Sequence, residues 1–466
     1  MYLLRKINVC SSKIAAVVLL GIFLASASYA AGVIYVDVNG PNDPGSGIYA
    51  DPFRRIQDAI DAAVDGDIIE IQPGVYTGPG NYNLDPGGKR ITIRSTNPNE
   101  PNSISNTIID PNGAGHGFNF YSGEDANCIV TGLTIRNGYS DLHGGNIYCF
   151  ESNPLIDGCI IINGYAANSG GGMHCHFSSP KIFNCTVTGN RAGFYGGGVS
   201  CFYSNPELVG CTISNNNAPL EGGGLDLVLS SVSLLNCLIT NNTASSSGGM
   251  NCYSPSEITV FNCTITRNKA ANTGPALFCQ DGSSVNIRNS IIWANESAFG
   301  PQVAVDTFSS VSINYSDIED SRPEGTGNID TDPCFATFAP NGDPNNWDFH
   351  LQSAYGRWQP SSQSWVADSN TSLCIDAGDP NSDWSKEPWP NGKRINMGAY
   401  GGTNQASMKG NPADFDINGA VNFSDFAEFS NKWSSEEFCI YDLVTDGVVD
   451  FADLRIFVEE WLRRRE

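Results

Sequence analysis

Cysteine recurs every 26 residues through the middle of this chain, at positions 159, 185, 211, 237 and 263. Whole segments carry the step: Gly158-Cys159-Ile160-Ile161, Asn184-Cys185-Thr186-Val187, Gly210-Cys211-Thr212-Ile213, Asn236-Cys237-Leu238-Ile239 and Asn262-Cys263-Thr264-Ile265. Leu133 lies one step earlier, and Ser290 and Ser316 continue the series after a one-residue insertion. A second series runs Cys149, Cys175, Cys201, Leu227, Cys252 and Cys279, behind glycine clusters such as Gly170-Gly171-Gly172 and Gly222-Gly223-Gly224. A third, Ile156, Ile182, Leu208, Leu234, Val260, Ile287 and Ile313, is purely aliphatic. A fixed period of this kind means one small unit repeated, each copy burying against its neighbours what it cannot bury alone.

Each unit holds three short runs of alternating apolar and polar residues, separated by Gly, Asn and Ser. Alternation is the strand pattern. The expected fold is therefore all-β: a single-stranded parallel β-helix of 26-residue coils, with equivalent residues ~4.8 Å apart in neighbouring coils. The cysteine series become internal stacks beside the aliphatic one, with cysteine acting as a small apolar residue. Disulfides between coils are disfavoured, because in-register parallel neighbours offer poor torsion geometry. Asn184, Asn236, Asn262 and Asn289 repeat at one corner, where an amide ladder would satisfy turn backbone.

The ends differ from the middle. Arg5, Lys6 and Lys13 precede the short apolar run Ile14 to Leu24, and small residues through Ala31 follow. Residues 1–30 read as a secretory signal peptide, which makes the mature protein secreted or surface-bound with no membrane insertion after cleavage. Phe53, Ile56, Ala59, Ile60, Ala63 and Val64 have helical spacing and would cap the open end of the solenoid. The coils span 31–325, and an irregular C-terminal cap spans 326–405. That cap holds Cys334 and Cys374, and one disulfide there is an open alternative. Acidic residues outnumber basic ones 49 to 25, a net charge of -24. This excludes a general nucleic-acid binder, which needs a basic footprint.

Residues 406–466 form a separate module. Asp414, Asp416, Asn418, Asn422 and Asp425 occupy places 1, 3, 5, 9 and 12 of a loop with Gly419 at place 6. Alternate oxygens around a glycine turn are the spacing of a calcium-binding loop. The pattern returns 28 residues later at Asp442, Asp446, Asp450 and Asp453, with Val444 at place 3. Calcium is therefore the expected cofactor, bound more weakly at the second loop.

Chemistry on the coils is sought along two outward columns. Tyr148, His174, Ser200, Asp226, Asn251 and Phe278 form one; Phe150, His176, Phe202, Val228, Tyr253 and Gln280 form the other. Exposed aromatic planes suit the flat C–H faces of sugars, and Tyr148, Phe150, His176, Phe202 and Tyr253 are the candidate substrate contacts. The alternative is that a loop or the cap covers them. Glycosidic hydrolysis needs two carboxylates. Glu221 and Asp226 flank one glycine cluster and are the candidate catalytic pair, with His174 a third candidate. Lys181, Arg191, Arg267, Lys269 and Arg288 are the cations from residue 137 to 290, and no aspartate cluster accompanies them.

The glycine clusters and Asn-Cys-Thr-Ile units resemble the right-handed parallel β-helix superfamily that includes pectate-lyase-like proteins. They also resemble the repeats of bacterial polymorphic outer-membrane proteins. Cys374 to Pro380 and Asn396 to Gly401 resemble the closing motifs of secreted β-helix proteins from planctomycete-type bacteria. The resemblance implies a right-handed coil, a polysaccharide partner, and either a lyase or hydrolase activity or a non-catalytic adhesion rod. The doubled loop-helix unit resembles a type I dockerin, which implies calcium and a cohesin-type protein partner. That family's contact places 10 and 11 hold Phe423-Ser424 and Phe451-Ala452 here, so its usual hydroxyl pair is not intact.

Overall fold

The computed structural model describes residues 31–319, 325–338, 347–416, 420–434, 440–444 and 447–462. The expected signal segment 1–30, and Asn418, Gly419 and Asp446 of the two loops, lie outside the described residues. The coils are three parallel sheets of 11, 8 and 10 strands that wind around one core. Nearly every strand pairs with its counterpart one coil away, so the sequence period becomes the register. Cys149 pairs with Cys175, Cys175 with Cys201, Cys201 with Leu227, and Leu227 with Cys252. Ile156, Ile182, Leu208, Leu234, Val260 and Ile287 pair in the same way on the first sheet. All of these side chains are buried.

The corners explain the composition. At one corner, a turn residue in each coil adopts a left-handed conformation: Gly158, Asn184, Gly210, Asn236, Asn262 and Asn289. Glycine and asparagine are the residues that tolerate it best. The cysteine that follows each turn is buried, and its thiol donates to carbonyls of its own and the preceding coil: Cys211 to Ile182 O at 3.2 Å, Cys237 to Leu208 O at 3.4 Å. Ser290 and Ser316 take over the column, with Cys263 N donating to Ser290 Oγ and Ser290 N to Ser316 Oγ, both at 3.1 Å.

The amide ladder stands at a different corner from the one expected. Asn184 instead reaches Asp157, and Asn236 and Asn262 bind the backbone of residues 396–401. The continuous ladder is Asn190, Asn216, Asn242, Asn268 and Asn295. The Nδ2 of each of the first four donates to the Oδ1 of the next coil at 2.9–3.0 Å and to a carbonyl of the coil before, and Asn295 Nδ2 ends the row on Gln302 Oε1 at 2.9 Å. A third corner holds Ser152, Ser178, Ser204, Ser230, Ser256 and Ser283, where each backbone N–H donates to the next serine oxygen at 3.1 Å. Buried turn backbone must be satisfied somewhere. Here the side chain of the next coil does it.

Helix α1 (Ile56–Ala62) buries Ile56, Ala59 and Ile60 over the first coil. At the other end the cap builds its own core from Phe335, Phe349, Leu351, Cys374, Ile375 and Met397 against Ile291. It runs along the flank of three coils, held by Asn236, Asn262 and the Arg288–Asp379 ion pair at 2.8 Å. Cys334 and Cys374 are free thiols, and Cys374 Sγ donates to the buried Asp317 at 3.1 Å, so no disulfide closes the cap. The coil cysteines among the described residues are also free. Helices α2 (Pro101–Asn106), α3 (Phe423–Ser430) and α4 (Phe451–Leu462) complete the fold. No helix among the described residues is long and apolar enough to cross a membrane.

Candidate functional site

The column Tyr148, His174, Ser200, Asp226 and Asn251 stands in register on one sheet, outside the barrel. It is not the exposed face that alternation implies. His174, Ser200, Asp226 and Asn251 are buried. A narrow ledge covers them: His143, Ser169, Tyr195, Glu221 and Ser246 bridge one another coil to coil just before the glycine turns. The turn at Gly222 has φ +64, and a Cβ there would meet Leu225 O at 2.4 Å. Glycine therefore folds the ledge back over the column. The two form the wall and floor of a cleft of about 790 Å³.

Glu221 and Asp226 meet in this cleft. Asn251 Nδ2 donates to Asp226 Oδ1 at 2.9 Å and to Glu221 Oε2 at 3.2 Å. One nitrogen thus spans both carboxylates, whose bonded oxygens lie no farther apart than about 6 Å. Gln280 Nε2 donates to Asn251 Oδ1 at 2.9 Å and fixes the amide's orientation. Ser200 Oγ approaches Asp226 Oδ2 at 3.5 Å. Burial pushes the Asp226 carboxyl up to about 7; the Asn251 hydrogen bond opposes this, and the Glu221 charge adds to it.

His174 does not join the pair. It stands two coils from Asp226, ~10 Å along the stack. It belongs to a row of rings instead: it stacks on His143 at 4.5 Å and on Tyr148 at 5.9 Å between centroids. Burial lowers the pKa of His174 well below the usual imidazole range, and of His143 to a lesser degree. Their Nδ1 atoms are buried without hydrogen-bond partners. Of the expected substrate contacts, His176, Phe202 and Tyr253 line the cleft, with His176 and Phe202 edge-to-face at 5.2 Å. Phe150 packs edge-to-face on His176 at 5.4 Å, and Tyr148 and Phe150 border a shallower groove with His116. No described residue of the C-terminal cap lines the cleft.

Sequence reasoning missed four features here: Asn251 and Gln280 as the clamp, His143, and the exposed Phe177–Tyr203 stack at 5.1 Å. The 26-residue step relates His143, Ser169, Tyr195 and Glu221, and also Phe177 and Tyr203. That spacing was the available signal.

In the C-terminal module, one carboxylate oxygen each from Asp414, Asp416 and Asp425 lies within 4.8 Å of the others. Asp425 also accepts from Asp416 N at 3.2 Å and Asn422 N at 2.9 Å. Asp453 repeats the wiring with Val444 N at 2.9 Å and Asp450 N at 2.8 Å. Asn422 Oδ1 caps helix α3 at Ser424 N. Asp442 accepts from Gly447 N at 2.8 Å. Three converging hard oxygens fit a divalent cation at the first loop. At the second loop, no such trio is found among the described residues.

Residues 194–318 match the family model of the right-handed β-helix region, and residues 259–378 match that of disaggregatase-related proteins. The fold is a right-handed parallel β-helix. A crystal structure of pectate lyase Pel9A is similar to it, with a TM-score of 0.53, 16% identity, and coverage of 80% of this chain and 96% of that one. A rhamnogalacturonan lyase aligns with a TM-score of 0.35 at 12% identity, over 68% of this chain and 94% of that one. No curated protein matches the chain by sequence.

Proposed function

We propose that this is a secreted carbohydrate-active protein whose cleft cleaves glycosidic bonds with Asp226 and Glu221. The observation that carries the reading is the single Asn251 amide clamped between the two carboxylates, one of them held near neutral pKa by burial. Asp226, about half protonated near pH 7 and more fully below it, gives its proton to the glycosidic oxygen as the C–O bond breaks. Glu221 attacks the anomeric carbon and forms a glycosyl ester. Water then displaces the ester, and Asp226 takes the proton back. Carboxylates that share one amide nitrogen suit this two-step, retaining course, which uses the closer of the two spacings known for such pairs, ~5–5.5 Å. The likeness of the fold to a pectate lyase supports a polysaccharide as the partner.

Asp414, Asp416 and Asp425, with Asn418 and Asn422, would hold calcium and fix the C-terminal module, while Asp442, Asp446, Asp450 and Asp453 would hold a second ion more weakly. The module would anchor the catalytic coils, with the exposed Phe423 and Phe451 as its contacts to a cohesin-type partner.

The test is release of reducing ends from neutral and acidic polysaccharides, with unsaturated uronate read in parallel. Reducing ends without unsaturated ends are expected, lost by roughly 10³-fold or more in Glu221→Gln. Unsaturated ends that survive both Glu221→Gln and Asp226→Asn would assign a lyase at another place. Binding without turnover would leave the non-catalytic rod.

A further inference from the structure

We infer that the cleft selects an uncharged glycan and rejects a polymer bearing a carboxylate on each sugar. The inference rests on the cleft being the glycan site. Among the described residues, no lysine or arginine lines it. Lys269, whose backbone lies beside the Gly248 turn, is engaged with Glu296 at 3.1 Å, and Arg267 pairs with Glu296 at 2.8 Å and lies over the cap rings Phe338 and Trp347. Arg191 projects from the short strand Arg191–Ala192, which pairs with Tyr165, outside the lining. A polyuronate would therefore meet Glu221 with no opposite charge. The only trio of ligating side chains among the described residues is Asp414, Asp416 and Asp425, so the cleft holds no carboxylate cluster for a bridging cation.

The groups that are present suit hydroxyls. His143 and His174 stack, and each aims a buried, unpartnered Nδ1. An uncharged imidazole pairs with a hydroxyl in either tautomer, because a hydroxyl both donates and accepts, and it offers no charge to an anion. Glu221 only accepts. Sugar hydroxyls can pair with all three, whereas a uronate carboxylate is repelled by Glu221 and finds no charge on either imidazole. Two buried ring nitrogens left without partners are costly unless the ligand brings them. His143 and His174 are thus assigned as readers of sugar hydroxyls, at the end of the cleft away from the carboxylate pair.

Affinity electrophoresis of full-length Asp226→Asn protein tests this, because that variant keeps the Glu221 charge. The probes are a glucan, a mannan and a galactan, each beside its own derivative oxidised at C6 to the uronate, and polygalacturonate, with calcium and with chelator. At least one neutral polymer should retard the protein, and its oxidised form should bind roughly tenfold more weakly or worse. Adding Ser246→Lys should narrow that gap. Adding His143→Phe, which keeps a ring in the stack, should weaken the neutral polymer about fivefold. Equal or tighter binding of an oxidised polymer or polygalacturonate would overturn the selectivity while leaving the glycan site standing. No retardation by any polymer would remove the glycan site and the selectivity together.

Discussion

Asp226 shows how position along a periodic chain turns an ordinary residue into a reactive one. In the neighbouring coils the equivalent places hold Ser200 and Asn251. Only in this coil does the ledge residue, Glu221, carry a second carboxylate. Burial raises the Asp226 carboxyl to about 7. A folded-state value above the unfolded one, ~3.9 for aspartate, means the native state binds the proton more tightly. Asp226 therefore lowers stability as pH rises from about 4 to 7, and adds no further change above that window. As general acid it must carry its proton, so cleavage should fall as pH rises through about 7. A pH–rate profile checks this: an alkaline limb near neutrality is expected in the wild-type chain, and a flat profile to pH 9 would exclude Asp226 as the acid. The pair itself was legible, because Glu221 and Asp226 flank one glycine cluster. The burial of Asp226 was not. Alternation says which side of a strand a residue faces, and not whether that side is covered. The covering ledge is one bridging residue per coil, too short to register as a strand.

Whole elements are held by ladders at three corners, and these differ in how visible they are. The cysteine column stands out because cysteine is rare elsewhere in the chain. The asparagine ladder from Asn190 to Asn295 is hidden among other asparagines, including the left-handed turn series at Asn163, Asn215 and Asn241. The series first expected to be the ladder, Asn184 to Asn289, is a set of turn formers. Its later members also dock the cap, a contact no local pattern encodes. Asn216 tests the ladder. Its Oδ1 accepts from Asn190 N and Nδ2 at 2.9 and 3.0 Å, and its Nδ2 donates to Val187 O and Asn242 Oδ1 at 2.9 and 3.0 Å. Asn216→Leu leaves partners on both sides unsatisfied at a buried site. It should destabilise the coils by about 3 kcal/mol or more. Chemical unfolding of the full chain measures it, and a loss below about 1 kcal/mol would show that the ladder is incidental.

Across the whole molecule, the coils, the cap and the C-terminal module rest on separate cores. The coil core runs from Val36 to Ile318, and the last module packs around Ala413, Phe415, Phe429, Val449 and Phe457. Trp389 reaches across to that module through Pro412 O at 2.7 Å. If calcium closes the loop at Asp414, Asp416 and Asp425, chelation should open residues 411–462 to hydrogen exchange and leave 129–318 protected. Loss of protection in both would mean the module is integral to the solenoid. The central claim, that the ledge and column form a glycan-cleaving cleft, is tested most directly by the structure of Glu221→Gln with an oligosaccharide it binds. A glycosidic oxygen is expected within about 3 Å of an Asp226 oxygen, with hydroxyls on His143 and His174 Nδ1. A sugar seated outside the cleft, with Asp226 still covered, would contradict it.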